Sequence, residues 1–467
     1  MTQTAESPIT RLRGLVRGDV VGASDVEYDD SRRVWNGDID RRPLVIARCL
    51  DEADVQAAVR FATAQGLEIA VRGGAHSMSG ASVVDDGIVI DLSLMNQVRV
   101  DPGIRRATVA GGALLRDVDA ATQAHGLAVP AGLVSHTGVG GLTLGGGMGW
   151  LTRLGGLTID NLLSARVVTA DGEARVVSPT ENTDLFWAIR GGGGNFGVVT
   201  QFDFALHEVG PMIHFGMLFW ALDQGPAALR HIREVMSTLP DDVNVMIGCL
   251  NAPPAPFVPE QHQLQPGYAA IVVGTGARES HAEVFAALHG GVPPLFDFAT
   301  PMPFVELQQM LDEGNAWGFH CYDKGCYVEE LSDDVIDAVT EQFPKKTSPL
   351  SIVLFYRLDG AYSRFEEEAT AFSGGRSPRL AVFVIGVCPA PGMLAMEREW
   401  VRSMVDALRP AAVDDGTYVN GTTEFDGRNP VQAAYGPEKY ARLVDIKTTY
   451  DPHNVFHRNA NIAPASL

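Results

Sequence analysis

The sequence predicts an α+β protein of two domains, and three observations carry that reading. Between residues 40 and 125, short apolar runs alternate with helix-forming segments, the pattern of layered strands and helices. Beyond residue 207, the stretches HFGMLFWAL, YAAIVVGTG, LSIVLFYRL and RLAVFVIGV read as strands of an antiparallel sheet. The chain of 467 residues is also longer than the roughly 250–300 that one hydrophobic core organises.

Residues 51–65, DEADVQAAVRFATAQ, join helix formers to acidic residues in the first turn, where the helix dipole is positive, and Gly66 follows as a stop. LEIAVRGG and GIVIDLS read as short buried strands around the run VRGGAHSMSG, residues 71–80. RRATVAGGA is a further strand, and a helix over about 114–125 ends near Gly126. Residues 138–156, GVGGLTLGGGMGWLTRLGG, hold nine glycines in nineteen positions, which excludes an ordinary helix or strand interior. ARVVTADGEARVVS (165–178) is a hairpin turning at Asp171-Gly172. TENTDLFWAIRGGGGNFGVVTQFDFAL supplies a capped helix, a glycine loop and a strand. After residue 207, proline clusters appear in NAPPAPFVPEQ and GVPPLFDFATPMPF, and RESHAEVFAALHGG and SDDVIDAVTEQF are amphipathic. The tail is a helix followed by an asparagine-rich segment.

A formal charge of −21 excludes binding to nucleic acid or an anionic membrane through a general field. Cys49, Cys249, Cys321, Cys326 and Cys388 are an odd, scattered set that matches no zinc pattern, so the expectation is free thiols, no metal and a reducing compartment. The N-terminal stretch lacks an apolar signal region, and no run approaches the length of a membrane span, which together read as cytoplasmic. The acidic surface is compatible with a monomer or a dimer.

Three glycine runs, 73–80, 138–149 and 191–197, suggest an extended ligand gripped at several points. Backbone N–H groups in such loops form nests for phosphate oxygens, and glycine lets the main chain approach a flat ring. GGGNFG (192–197) satisfies G-x-G-x-x-G as letters, but a helix precedes it and a strand follows, the reverse of a Rossmann site. His76 stands alone among the first run's bare backbone, either capping a turn or touching what the glycines admit.

VRGGAHSMSG, GLVSHTGVGGLTLGGGMGWLTRLGGLTIDNL, DLFWAIRGGGGNFGVVT, YVN and KTTYDPHNVFHRNANI together resemble the FAD-linked oxidases of the vanillyl-alcohol-oxidase superfamily. Within it the chain is most similar to the berberine-bridge-enzyme-like group, including bacterial EncM-like flavin-dependent oxygenases and 6-hydroxynicotine oxidase. The resemblance implies a PCMH-type FAD-binding domain in two parts, residues 1–206 and 415–467. A substrate domain, an antiparallel sheet covered by helices, would span 207–414. It implies FAD bonded covalently through the ring of His76, with Arg72, Gly73, Gly74, Ala75, Ser77 and Gly80 along the cofactor. His136, Thr137, Gly138, Gly140, Gly141, Gly145, Asp160, Asn161, Gly194, Gly197, Val199, Tyr450 and Asn459 would complete the binding set. Many relatives attach the flavin a second time through a cysteine; Val134 stands at that position here, so the expectation is a single link.

The same resemblance places a small organic substrate (an alcohol, amine, phenol or polyketide-like molecule) between the flavin and the sheet. Its hydride would pass to flavin N5, and O2 would take up the electrons as hydrogen peroxide. Tyr418 and Asn420 reach the ring in relatives and are the catalytic candidates. Thr137 matches the oxygen-gating position, where a hydroxyl suits either an oxygenase that uses an oxygenated flavin or plain packing. Leu354 stands where the oxygenases carry a glutamate, so their proton-transfer scheme is not implied. His320, Tyr322, Glu329 and Glu330 lie in a segment expected to be a solvated face. A flavin-binding protein without turnover is the reading from another class.

Overall fold

A computed structural model describes residues 8–413, 416–424 and 430–465; the expected boundary at 414/415 lies outside the described residues. The first sheet holds β1 (Asp19–Gly22), β2 (Val45–Arg48), β3 (Ile69–Arg72) and β4 (Ile88–Asp91) in the order β1-β2-β4-β3. β2, β4 and β3 run parallel, and β1 pairs antiparallel with β2. The helix Glu52–Gln65 makes the crossover from β2 to β3. Asp51 caps it by accepting from the Asp54 N–H, and Gly66 ends it in a left-handed conformation with φ 64°.

The second sheet is antiparallel and comprises β5 (Val98–Asp101), β6 (Arg106–Ala110), β8 (Leu162–Val168), β9 (Ala174–Val177) and β10 (Val198–Ala205), ordered β5-β6-β10-β8-β9. Two-residue strands, β7 (Leu127–Ala128) and β11 (His207–Glu208), pair beside it. The third sheet has seven strands: β12 (Met212–Ala221), β13 (Val243–Asn251), β14 (Pro266–Gly274), β15 (Phe296–Pro303), β16 (His320–Val328), β17 (Ile352–Leu358) and β18 (Arg379–Cys388). Their order is β15-β12-β14-β13-β17-β18-β16, antiparallel throughout. Four helices, Gly225–Met236, Arg278–His289, Asp333–Gln342 and Leu394–Leu408, bury their apolar sides on one face. The other face, with Met217, Met246, Leu354 and Phe383, packs toward residues 148–159 and Tyr418.

Two expectations need correction, and one proline cluster has a structural account. Residues 138–156 contain the helices Val139–Gly145 and Thr152–Gly155. Glycine costs a helix roughly 0.5–1 kcal/mol per residue relative to alanine, but here close backbone approach overrides propensity: a Cβ on Gly140 would lie 3.2 Å from the Gly111 carbonyl. The proline cluster at 293–303 includes β15. It is an edge strand bonded only to β12, so Pro301 and Pro303 need no partner on their outer side. Finally, the segment read as a solvated face is β16; Tyr322 and Asp323 are buried, while Glu329 and Glu330 are exposed.

The helix Leu115–Gln123 meets the helix Phe304–Gln309 where the large sheet's lobe abuts the second sheet. There Asp119 is buried, its carboxylate accepting from Gln308 Nε2 at 3.2 Å, and loss of water pushes its pKa up to about 7. A carboxyl raised above its unfolded value favours the fold at low pH, and that contribution is lost as pH rises from about 4 through 7. Asp119→Asn is therefore expected to raise the melting temperature more at pH 8 than at pH 5. Equal shifts at both pH values would assign the gain to packing.

Candidate active site

A cavity of about 510 Å³ opens between the two smaller sheets and the inner face of the large one. Its wall draws on residues 73–79, 132–141 and 193–199, on Tyr356 of β17 and Phe383 of β18, and on 418–423 and 456–460. Gly74 and Gly138 make the floor possible. A Cβ on Gly74 would lie 2.3 Å from the Gly138 nitrogen, and one on Gly138 would lie 2.3 Å from the Gly74 nitrogen. Neither has positive φ; in the first run that conformation falls on Ala75 (φ 53°) and Gly80 (φ 70°). The glycines of the opening motif thus serve close approach more than turning.

His76 follows the strained Ala75 into the wall. Its ring stacks on Trp35 with centroids 4.3 Å apart and planes at 17°, and lies 5.0 Å from the ring of His136. Nε2 is enclosed without a hydrogen-bond partner. Loss of water, reinforced by His136, lowers the pKa of His76 to about 3, so the imidazole is neutral. A neutral ring nitrogen at a cavity wall is a nucleophile in waiting.

Tyr418 stands across the cavity, buried between Phe372 and Phe383. Its oxygen accepts from the Gly147 N–H at 2.8 Å and from Asn420 Nδ2 at 3.2 Å. Burial pushes the hydroxyl up to about 12, against the two donors, which favour the phenolate. With both acceptor positions used, the hydroxyl proton is what Tyr418 offers a ligand. Asn420 also donates to the Gly141 and Leu142 carbonyls at 3.1 Å, fixing it to the end of the glycine helix.

The structure brings fifteen of the expected residues together in this wall: Gly73, Gly74, Ala75, His76, Ser77, Thr137, Gly138, Gly140, Gly141, Gly194, Gly197, Val199, Tyr418, Asn420 and Asn459. Val134 also lines it, and none of the five cysteines does. Others stand behind it. Arg72 donates to the Ser31 and Arg33 carbonyls at 2.5 and 2.8 Å and sits 3.8 Å from Asp91, which turns it away. Gly80 gives its carbonyl to Arg41, Gly145 packs on the Asn420 side chain, and His136 lies behind His76. Asn161 is consumed by the Gly155 and Leu157 carbonyls and by His207, and the Tyr450 hydroxyl pairs with Asp184.

Asp160 is the clearest correction. Both its oxygens pair with Arg376, at 2.7 and 2.8 Å, and one also caps the Leu157 N–H, so the carboxylate is enclosed by protein and outside the cavity wall. Asp160 and Arg376 are 0% and 5% exposed, so the pair is a structural bolt from the 158–161 turn to the 370–376 loop. Arg376→Ala is expected to destabilise the fold by about 3–5 kcal/mol in denaturant unfolding, because it leaves a buried, unpaired carboxylate.

Sequence reasoning missed Tyr356, Phe383, Thr423 and Arg458 in the wall, and Trp35 behind it. Arg458 adjoined the recognised asparagine motif and was the signal available. The others depend on which strand neighbours which. Among the described residues no helix is long and apolar enough to cross a membrane, and no cluster of metal-ligating side chains occurs.

A family model described as FAD binding domain matches residues 43–178, and one described as berberine and berberine like matches 417–463. The chain is 31% identical to (R)-6-hydroxynicotine oxidase of Paenarthrobacter nicotinovorans, over 96% of this chain and 97% of that one. It belongs to the berberine-bridge-enzyme-like family of FAD-linked oxidoreductases. An FAD-linked oxidoreductase of Dictyostelium discoideum is 30% identical over 96% of this chain and 95% of its own length. A crystal structure of 6-hydroxy-D-nicotine oxidase from Arthrobacter nicotinovorans superposes with a TM-score of 0.82 at 28% identity, covering 96% of this chain and 98% of that one. This berberine-bridge-enzyme-like oxidoreductase takes FAD as its cofactor, and its wall suits that group. The glycine floor admits a flat ring, while His76 Nε2 and Asn459 Oδ1 are buried polar atoms without a partner in the protein.

Proposed function

We propose that the protein is an FAD-linked oxidase that holds its flavin through one covalent bond, from a ring nitrogen of His76 to the 8α-methyl carbon. The observation that carries this is the neutral, unpartnered imidazole in the cavity wall. A second bond is not expected, because Val134 supplies no thiol. On this reading the parts 1–206 and 415–467 hold FAD, and 207–414 supply the substrate side.

When bound, FAD would supply two-electron acceptor chemistry, with O2 as the final acceptor and hydrogen peroxide as the product. The chain's own residues do the rest. The Tyr418 hydroxyl, held in line by Asn420, donates a hydrogen bond that orients an oxygen or nitrogen of a small organic substrate. Leu133, Met148 and Phe383 present carbon to the cavity and exclude water. Asn459 offers an acceptor to the cofactor.

The test is an absorbance spectrum before and after acid precipitation, followed by a peroxide assay with candidate alcohols, amines and phenols. Colour retained in the pellet together with peroxide formation fits the proposal. Colour lost to the supernatant removes the covalent link, and no bleaching by any candidate favours binding without turnover. Thr137 in the wall favours one second reading, an oxygenase; labelled O2 appearing in the organic product distinguishes it.

A further inference from the structure

Trp35 has no part in the chemistry above, yet it is held on every side. It is 1% exposed and lies 41 positions before His76 in the chain. Its N–H donates to the Ala75 carbonyl at 3.0 Å, pinning it to the residue that precedes the histidine. Its own carbonyl accepts from the Gly318 N–H at 3.0 Å, and its indole Nε1 donates to the Asn315 carbonyl at 2.6 Å. Asn36 repeats the bridge: Nδ2 donates to the Met78 and Cys321 carbonyls at 2.8 and 3.0 Å, while Oδ1 accepts from the Cys321 N–H at 2.9 Å. The pair Trp35-Asn36 therefore ties the loop 75–78 to residues 315–321 at the entry to β16.

Histidine's ring torsion is broad, so side-chain rotation alone does not fix the plane of the ring. Hydrogen bonding leaves the Nε2 side free, since Nε2 has no partner in the protein. The plane is set by the stack on the indole, at 4.3 Å and 17°, with the His136 ring 5.0 Å away. Aromatic pairs in this geometry gain from offset overlap of their faces and resist tilting.

We propose that Trp35 is the positioning residue for flavin attachment: its indole, anchored to Asn315, holds the His76 imidazole in one plane at the cavity wall. The inference rests on the covalent reading of His76. Attachment removes one hydrogen from the 8α-methyl group and one from the imidazole, and it joins carbon to nitrogen. Two protons and two electrons leave with O2, the acceptor of the proposed reaction, as hydrogen peroxide. A ring free to rotate spends less time in the orientation from which that bond forms.

The experiment compares wild type, Trp35→Phe, Trp35→Leu and Trp35→Met, each produced under riboflavin depletion as flavin-free protein, after incubation with FAD in air. The readout is the fraction of bound flavin that stays in the acid pellet over time, alongside total bound flavin and melting temperature. Phenylalanine keeps the stack, and attachment within about twofold of wild type is expected. Leucine fills part of the space without an aromatic face, and attachment at least tenfold slower is expected at similar total flavin. Methionine, longer and flexible, gives the same comparison should the leucine variant not fold. Attachment at the wild-type rate in either non-aromatic variant overturns the proposal, as does a phenylalanine variant that fails as fully as leucine. A wild-type pellet without colour is a different result: it removes the covalent reading itself, and the role of Trp35 falls with it.

Discussion

His76→Ala is expected to move all of the yellow colour from the acid pellet to the supernatant. Alanine offers no nitrogen, and no cysteine lines the wall to take its place. A second signature follows from mass action. A covalent ligand cannot be diluted away, so added FAD leaves the wild-type melting temperature unchanged. The variant holds FAD only reversibly and gains stability as FAD is added, by about 2.7 kcal/mol at a hundredfold excess over Kd. Titrating FAD into both proteins during thermal unfolding checks this. Because burial lowers His76 to about 3, the ring is already neutral at pH 5, and attachment in wild type is expected to show no inflection near 6.5. A rate that climbs between pH 5.5 and 7.5 would return His76 to the ordinary histidine range.

Tyr418→Phe is expected to lower kcat/KM by about tenfold, the size of losing one substrate-orienting hydrogen bond worth roughly 1–1.5 kcal/mol. Removing the oxygen also strands the Gly147 N–H, at a cost of roughly 1–3 kcal/mol in stability. Steady-state kinetics and unfolding of the same preparation measure both. Since Tyr418 lies near 12, its ionisation adds no inflection to the wild-type rate between pH 7 and 10. A phenylalanine variant within threefold of wild type would take the hydroxyl out of the reaction.

The elements that could be read from the sequence are those whose cause is local. Asp51 and Gly66 bracket a helix because a carboxylate caps one end and only glycine turns easily at the other. Strands β12, β14, β17 and β18 announced themselves by apolar content. Strand β16 did not, because His320, Asp323 and Lys324 look solvated until their neighbours are known. Asp323 is paired with Thr423, a hundred residues on, and Lys324 with the Glu424 carbonyl. The glycine-rich stretch misled for a related reason. Its helix is paid for by backbone contacts with Gly74 and Gly111, which no window of sequence contains.

The site divides in the same way. The glycine loops and His76 form a contiguous motif, so they were visible. Asp160 sits in an equally familiar motif, but Arg376 claims it from 216 positions away. Trp35 and Asn315 are 280 positions apart, and neither is unusual where it stands. Long-range pairing made the structural residues invisible and one structural residue look functional.

The wall of the cavity contains both Gly73 and Ala460. Ribosomes add roughly 5–20 residues per second, so the attachment loop emerges about 20–80 s before the residues that close the wall behind it. For most of that interval Tyr418 does not exist, and the wall segment 456–460 is absent throughout. The site is therefore a late product of synthesis, and a chain that stalls before Phe456 carries His76 without the enclosure around it. On the proposed covalent reading, loading of the cofactor then reports that translation reached the end of the site.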